Sequence, residues 1–279
     1  LALRVDLLPP VPLLQVPLPQ VRRQPASLPR HEDVVAQRQR DPSPGRGPQQ
    51  PTPWAAAATQ AQDLAGLFAS IGLDRNYGGI DLEAVQPDRQ GWASNSPCFG
   101  DLIAELRPSL VIEVGSWKGA SLLEMARISQ RLGLETTFIC VDTWLGSNAE
   151  LWLHEAPRAS LKLQAGYPTL FLTFLRNLRD AGLLQQVFPM PMTSLTAALI
   201  LRHWQVQADL VYVDAGHTLV EVETDLELYS KVLRPGGVLL GDDYLPEWPG
   251  VIAAADGFGR RHGLVLEQRQ EKFVFRMPT

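Results

Sequence analysis

The sequence predicts an α/β fold in which a doubly wound, mostly parallel sheet ends in a C-terminal antiparallel hairpin. Three observations support this prediction. Compact apolar runs alternate with segments of helical periodicity between residues 110 and 262. Glycines or acidic residues follow several of these runs. Residues 264–277 alternate apolar and polar side chains around a short turn. Strands that alternate with helices imply right-handed crossovers and therefore a parallel sheet.

The individual elements follow from the spacing of apolar residues. Short apolar runs predict strands at 110–114, 137–141, 186–190, 210–213 and 238–240. Apolar residues three and four positions apart predict helices at 99–106, 121–132, 165–184, 194–203, 218–233 and 251–262. The two strands of the hairpin are predicted at 264–268 and 272–277. We expect Gly133 to cap the helix before it, and Pro235-Gly-Gly to end the helix at 218–233.

Proline content divides the chain into three regions. Residues 1–53 contain 12 of the 23 prolines and seven arginines. Each proline fixes φ and removes a backbone donor, so this region is predicted to be a disordered, Pro/Arg-rich leader. Residues 54–92 are predicted to form a helical and loop extension, and residues 93–279 the α/β domain.

Composition restricts the partners and the setting of the protein. A formal net charge of −5 disfavours nucleic acid as a partner. No uninterrupted apolar run reaches the roughly 18 residues that a membrane span needs. Two cysteines, Cys98 and Cys140, are too few for a disulfide framework and favour a reduced, cytoplasmic setting. The first residue is Leu1 rather than Met, so the sequence leaves open an upstream targeting signal. It also leaves open whether the protein forms a homo-oligomer.

A glycine-containing loop follows the first predicted strand and opens a helix. Gly115 would let the chain turn sharply, and Gly119 would let the backbone approach a ligand closely. Such a loop at the carboxyl end of a strand is where open α/β sheets bind ligands. Asp142 ends the next strand, where a carboxylate can accept hydrogen bonds from both hydroxyls of a ribose.

The residue type at position 117 separates two classes of cofactor. A dinucleotide fingerprint has a glycine there, whereas this chain has Trp117, which would crowd a pyrophosphate. S-adenosylmethionine has no phosphate, and it would need only the tight turn and Glu113 near its amino group. The chain also lacks a Tyr-x-x-x-Lys pair on a helix, which further disfavours a nicotinamide-dependent oxidoreductase.

The segment Glu-Val-Gly-Ser-Trp-Lys-Gly-Ala-Ser, residues 113–121, resembles the cofactor loop of catechol-type O-methyltransferases. Across about residues 93–279 the chain resembles class I methyltransferases, close to macrocin-type sugar O-methyltransferases and cephalosporin-hydroxylase-like proteins. The resemblance implies a Rossmann-like fold that binds S-adenosylmethionine. It implies cofactor contacts from Glu113, Gly115, Ser116, Ser121 and Asp142. We also expect Trp144 to lie against the adenine.

Three acids follow the fourth and fifth predicted strands, at Asp214, Asp242 and Asp243. Adjacent parallel strands would bring them to one edge of the sheet, where converging carboxylates repel one another. A divalent cation removes this repulsion, and oxygen ligands favour Mg²⁺, Ca²⁺ or Mn²⁺. In the metal-dependent O-methyltransferases that this chain resembles, acids at these positions hold Mg²⁺, which binds two neighbouring substrate oxygens.

His217 is the predicted catalytic residue. Catechol-type enzymes have a lysine general base at the matching place, and a neutral histidine can take a proton near neutral pH. We therefore expect O-methylation of a small hydroxylated acceptor, such as a sugar, a polyol or a catechol-like compound. Two alternatives stay open: a metal-independent methyltransferase with structural acids, and a non-catalytic module that only binds the cofactor.

Overall fold

The computed structural model describes residues 64–146 and 149–279. The predicted leader, 1–53, lies outside the described residues, as does the first part of the extension. The strands are β1 (Leu110–Val114), β2 (Thr137–Asp142), β3 (Val187–Pro191), β4 (Ala208–Val213), β5 (Leu233–Gly241), β6 (Glu267–Arg269) and β7 (Lys272–Arg276). The helices are α1 (Pro97–Leu106), α2 (Ala120–Arg131), α3 (Ala149–Leu153), α4 (Glu155–Ala159), α5 (Leu170–Asp180), α6 (Ser194–His203), α7 (Leu219–Tyr229) and α8 (Pro249–His262).

The seven strands form one sheet in the order β3-β2-β1-β4-β5-β7-β6. The first five strands are parallel, whereas β7 is antiparallel to both β5 and β6. The predicted fold class is therefore confirmed. Strand β1 has β2 on one side and β4 on the other, so the chain reverses its direction of winding at β1. Ligands of open α/β sheets bind at such a switch point, outside the carboxyl ends of the strands.

Apolar side chains cover both faces of the sheet. Successive residues of a strand point to opposite faces, and accordingly Val111 and Ile112 lie in different buried clusters. All five residues of β1 are buried. This burial explains why the central strands are continuous apolar runs rather than alternating ones.

The extension packs against the sheet and its helices where it is described. Residues 64–70 are helical. The ring of Phe68 lies 4.9 Å from that of Phe188 in β3 and 5.5 Å from that of Trp204. The extension therefore contributes to the same apolar core as the strands.

Two predicted helices differ from the structure by more than two residues at one or both ends, and the others by at most two. The helix predicted at 165–184 spans only Leu170–Asp180, because Ala165 and Gly166 adopt positive φ and Pro168 follows them. The helix predicted at 218–233 ends at Tyr229 and continues as a 3₁₀ turn. Pro235 does not end a helix but lies within β5, where the register with β4 shifts. Proline is tolerated at such an irregularity because no ladder hydrogen bond is required there.

Two further observations concern the setting of the chain. None of the described helices combines the length and the apolar composition needed to cross a membrane. Both cysteines are buried and carry free thiols.

Replacing Gly115 with alanine tests the contact between the loops after β1 and β4. Gly115 has φ +91°, and a Cβ there would overlap the carbonyl group of Asp214. We expect G115A to lower the free energy of unfolding by several times the roughly 1–2 kcal/mol of left-handed strain alone. Urea denaturation measures this difference.

The matched control is Gly133→Ala. Gly133 also has positive φ, but nothing lies within 4 Å of the position of its Cβ. We expect the free energy of unfolding of this variant to fall only by the cost of the backbone strain. Equal destabilisation of the two variants would contradict the close approach at Gly115.

Candidate active site

The loop between β1 and α2 forms a tight turn at the carboxyl edge of the sheet. The amide of Gly115 donates to the carbonyl of Val141 at 2.8 Å, and that of Gly119 to the carbonyl of Ser116 at 2.7 Å. Gly119 is the N-cap of α2 and adopts φ +83°. Trp117 also adopts a positive φ, at the position where a dinucleotide-binding loop has glycine. The loop thus has the conformation that the sequence predicts.

Asp142 joins this loop to the segment that follows β2. Its Oδ2 accepts a hydrogen bond from the amide of Trp117 at 2.8 Å, and its Oδ1 accepts one from the amide of Trp144 at 2.6 Å. Burial raises the pKa of Asp142, although the backbone amides act in the opposite direction. The amides of Ser116 and Thr143 act on the same carboxylate, which is therefore held by the backbone of both loops.

Glu113 and two serines lie beneath the loop. Oε1 of the fully buried Glu113 accepts from the hydroxyl of Ser121 at 2.5 Å. Burial raises the pKa of Glu113 from 4.5 to about 7, and the Ser121 hydrogen bond offsets part of the rise. The buried hydroxyl of Ser116 makes no hydrogen bond of good geometry among the described residues, although it lies near enough to the Glu113 carboxyl to offset part of the rise in its pKa. An unsatisfied buried hydroxyl in a ligand loop indicates a place for a polar ligand atom.

Trp144 lies in the core beside the loop. Its side chain is 2% exposed, and its Nε1 donates to the carbonyl of Trp117 at 2.7 Å. The rings of Phe171 and Phe174 both lie 4.8 Å from it. Trp144 therefore supports the loop from the side of the core. Its contact with adenine stays a prediction.

Residues 82–92, here called the strap, hold the loop from the other side. Nζ of the buried Lys118 donates to Asp88 Oδ2 at 2.8 Å and to Gln90 Oε1 at 3.1 Å. Lys162 pairs with the same carboxylate at 3.2 Å. Trp117 Nε1 also donates to Gln90 Oε1. Sequence reasoning missed the strap, because it carries no periodic pattern.

A second group of side chains follows β4 and β5. One ligand atom from each of Asp214, His217 and Asp243 lies within 4.8 Å of the other two. His217 Nε2 lies 2.8 Å from Asp243 Oδ2, and its ring stacks on Trp248 with 4.1 Å between the ring centroids. Burial raises the pKa of Asp214 well above its usual range, and Asp242 and Asp243 add to the rise.

The position of His217 depends on the start of α7. Thr218 is the N-cap of this helix, and its hydroxyl accepts from the amide of Glu221. The Glu221 carboxylate accepts from the amide of Thr218, which completes a capping box. Gly250 lies against the same turn, because a Cβ there would be 2.6 Å from the carbonyl oxygen of His217.

Asp242 has different partners from the other two acids. Its Oδ2 accepts hydrogen bonds from Lys272 Nζ at 2.6 Å and from the Tyr212 hydroxyl at 2.5 Å. Lys272 is fully buried. The structure thus brings together Asp214, Asp243 and His217, whereas it pairs the third predicted ligand with a lysine. Sequence reasoning did not single out Lys272.

Residues 112–244 match the family described as a methyltransferase domain. No curated protein sequence matches the chain. The O-methyltransferase NovP has a similar structure, with a TM-score of 0.50 and 17% identity over 80% of this chain and 98% of that chain. An O-methyltransferase from Bacillus cereus in complex with SAH has a TM-score of 0.48 and 13% identity over 79% of this chain and 91% of that chain.

The domain match and the sheet order identify the class of protein. Residues 112–244 carry a methyltransferase domain on a Rossmann-like sheet, which supports S-adenosylmethionine-dependent methyl transfer as the activity of the protein. This confirms the resemblance to S-adenosylmethionine-dependent methyltransferases, whereas the catechol-like metal site stays a prediction.

Glu113→Gln tests the buried carboxyl under the cofactor loop. Between pH 4.5 and about 7 the folded state keeps a proton on Glu113 that the unfolded state releases. The free energy of unfolding therefore falls as pH rises through this window. We expect E113Q to be more stable than the wild type at pH 8, by at most about 3 kcal/mol, and similar at pH 4.5. Thermal unfolding without cofactor measures this.

The control is Glu247→Gln, at an exposed position. Its stability should equal that of the wild type at both pH 4.5 and pH 8. An E113Q protein whose gain in stability is the same at pH 4.5 and pH 8 would contradict the raised pKa.

Proposed function

We propose that the protein transfers the methyl group of S-adenosylmethionine to a hydroxyl oxygen of a small acceptor. One observation carries the proposal: the cofactor loop touches the loop that bears the acids and the histidine. A Cβ on Gly115 would overlap the carbonyl of Asp214, so nothing separates the two loops. Methyl donor and hydroxyl acceptor would therefore meet in one cleft, as in-line transfer requires.

The cofactor has a matching set of groups on this chain. Asp142 would accept from the ribose hydroxyls, and Glu113 would lie nearest the amino group. The Ser116 hydroxyl, which makes no hydrogen bond of good geometry among the described residues, would gain one from the amino-acid part of the cofactor. Gly115, Gly119, Ser121 and Trp144 would shape and support the same loop.

A divalent cation fits the second group of side chains. Asp214 and Asp243 would hold it, and Mg²⁺ commonly binds through one or two carboxylates together with substrate oxygens. Burial is the main cause of the raised pKa of Asp214, and the neighbouring Asp242 and Asp243 carboxylates add a repulsion that a cation would relieve. When bound, the cation would lower the pKa of an acceptor hydroxyl and orient it.

His217 is the group on this chain that would take the proton of the acceptor hydroxyl. Asp243 holds its Nε2, which leaves Nδ1 to accept a proton, and Trp248 fixes the plane of the ring. The acceptor oxygen then forms a bond to the methyl carbon as the carbon–sulfur bond breaks. The sulfur keeps the electron pair and leaves as a neutral thioether.

The acceptor class follows from the two carboxylates. A cation that they hold has room for two neighbouring oxygens, which favours a sugar, a polyol or a catechol-like compound. The second candidate is metal-independent transfer, which the hydrogen-bonding distance between His217 and Asp243 favours. In that mechanism the pair alone would remove the proton.

Calorimetric titration tests the cofactor and the cation together. We expect S-adenosylmethionine to bind and NAD⁺ not to bind. We expect Mg²⁺ to give a heat that EDTA removes and that Asp243→Asn abolishes. The exposed Asp101→Asn is the control and should keep the heat. A cation heat that survives in D243N would contradict the ligand assignment. No cation binding to the wild type would favour metal-independent transfer.

Replacing His217 with glutamine tests the proposed base. We expect H217Q to bind S-adenosylmethionine as the wild type does, and to transfer methyl groups to a diol acceptor at least about 100-fold more slowly. The exposed His203→Gln should keep the wild-type rate. Single-turnover transfer of a labelled methyl group measures both. If the H217Q rate lies within threefold of the wild-type rate, another group removes the proton of the acceptor hydroxyl.

A further inference from the structure

A fully buried lysine lies directly beneath the acids. Lys272 is the first residue of β7 and its side chain is 0% exposed. Its Nζ lies 2.6 Å from Asp242 Oδ2 and 3.1 Å from the Tyr212 hydroxyl, and 5.1 Å from the centre of the Phe99 ring. Lysine is almost never fully buried unless it is paired. Its burial here therefore depends on Asp242.

The sheet itself brings the two residues together. Gly241 of β5 pairs with Phe273 of the antiparallel β7, so Asp242 and Lys272 are the next facing positions. Gly241 is required here, because the ring of Phe273 occupies the place of its Cβ. The C-terminal hairpin of β6 and β7 therefore places the ammonium group of Lys272 at the end of β5.

The carboxylate of Asp242 is largely satisfied by the protein. Oδ2 accepts from Lys272 and Tyr212, and Oδ1 accepts from the amide of Asp243 at 2.9 Å. Its side chain is 4% exposed, although it borders the same cleft as the other acids. The side chain of Asp243 is 27% exposed, so it is far more accessible to a ligand.

The Tyr212 hydroxyl lies 3.0 Å from Asp214 Oδ2 and so links the Lys272–Asp242 pair to a predicted ligand.

We propose that Lys272 is a positioning residue that holds Asp242 as its counter-ion, so that Asp214 and Asp243 alone are the carboxylates that hold the divalent cation. Lys272 acts on the cation indirectly, because the Tyr212 hydroxyl lies between the Asp242 and Asp214 carboxylates and contacts both. The inference rests on the proposed cation site and explains why only two of the three acids that the sequence predicts would be its ligands.

The test compares a neutral replacement of the pair with the loss of a ligand. In D242N/K272M both charges are removed at similar volume, whereas D243N removes a carboxylate that faces the cleft. Calorimetric titration of full-length protein with Mg²⁺ and with Mn²⁺ measures the affinity. We expect D242N/K272M to lose no more than about 10- to 100-fold in cation affinity, as for a residue outside the ligand set, and D243N to lose more than about 100-fold.

The thermal midpoint provides a readout that does not need the cation. K272M alone leaves a buried carboxylate unpaired, so we expect its midpoint to fall below that of D242N/K272M. An equal or higher midpoint for K272M would overturn the pairing. If the double variant does not fold, D242N alone serves the comparison of cation affinity, because asparagine keeps an oxygen that can accept from Lys272.

The outcomes separate this inference from the proposed function. If D242N/K272M loses cation binding as completely as D243N does, then Asp242 is a ligand. That result would overturn the inference but would leave the cation site in place. A wild type that binds neither cation would overturn the cation site and this ligand assignment together. S-adenosylmethionine binding in each variant reports that the fold is intact.

Discussion

The close approach of Gly115 to the loop after β4 is the constraint on which the rest of the site depends. Strands β1 and β4 are neighbours, so their carboxyl ends are adjacent. Only a residue without a side chain lets the backbone turn against the Asp214 carbonyl. That contact places the cofactor loop beside the acids and the histidine. Any side chain at position 115 would separate the methyl donor from the residues proposed to activate its acceptor.

Buried charge is balanced locally on both sides of this contact. Lys118 is paired with Asp88 of the strap, and Lys272 with Asp242 at the end of β5. An unpaired charge in the interior costs several kcal/mol, roughly 3–5 when one partner is removed. The two lysines therefore tie peripheral segments to the edge of the sheet that carries the proposed cofactor loop. The acids that remain without a buried lysine partner are those that the proposal assigns to the cation.

Local pattern was sufficient for the sheet but not for every helix. The runs at 110–114 and 137–141 predicted β1 and β2 because a central parallel strand is apolar on both faces. The helix predicted at 165–184 was too long, because its apolar spacing continued through backbone that turns at Ala165 and Gly166. Pro235 was interpreted as a helix end, whereas it lies where β5 leaves its register with β4. In both cases tertiary packing overrode the local signal.

The sequence by itself determined the fold class, the cofactor loop at residues 113–121, and the strand ends that carry Asp142, Asp214 and Asp243. These features depend on neighbours in the chain, since a strand, its following turn and its helix are local. Only the tertiary structure decided the partners of the buried charges. Lys272 reaches Asp242 because β7 adds antiparallel to β5, and Lys118 reaches Asp88 because the strap folds back over the loop. Long-range pairing of this kind leaves no periodic trace in a single sequence.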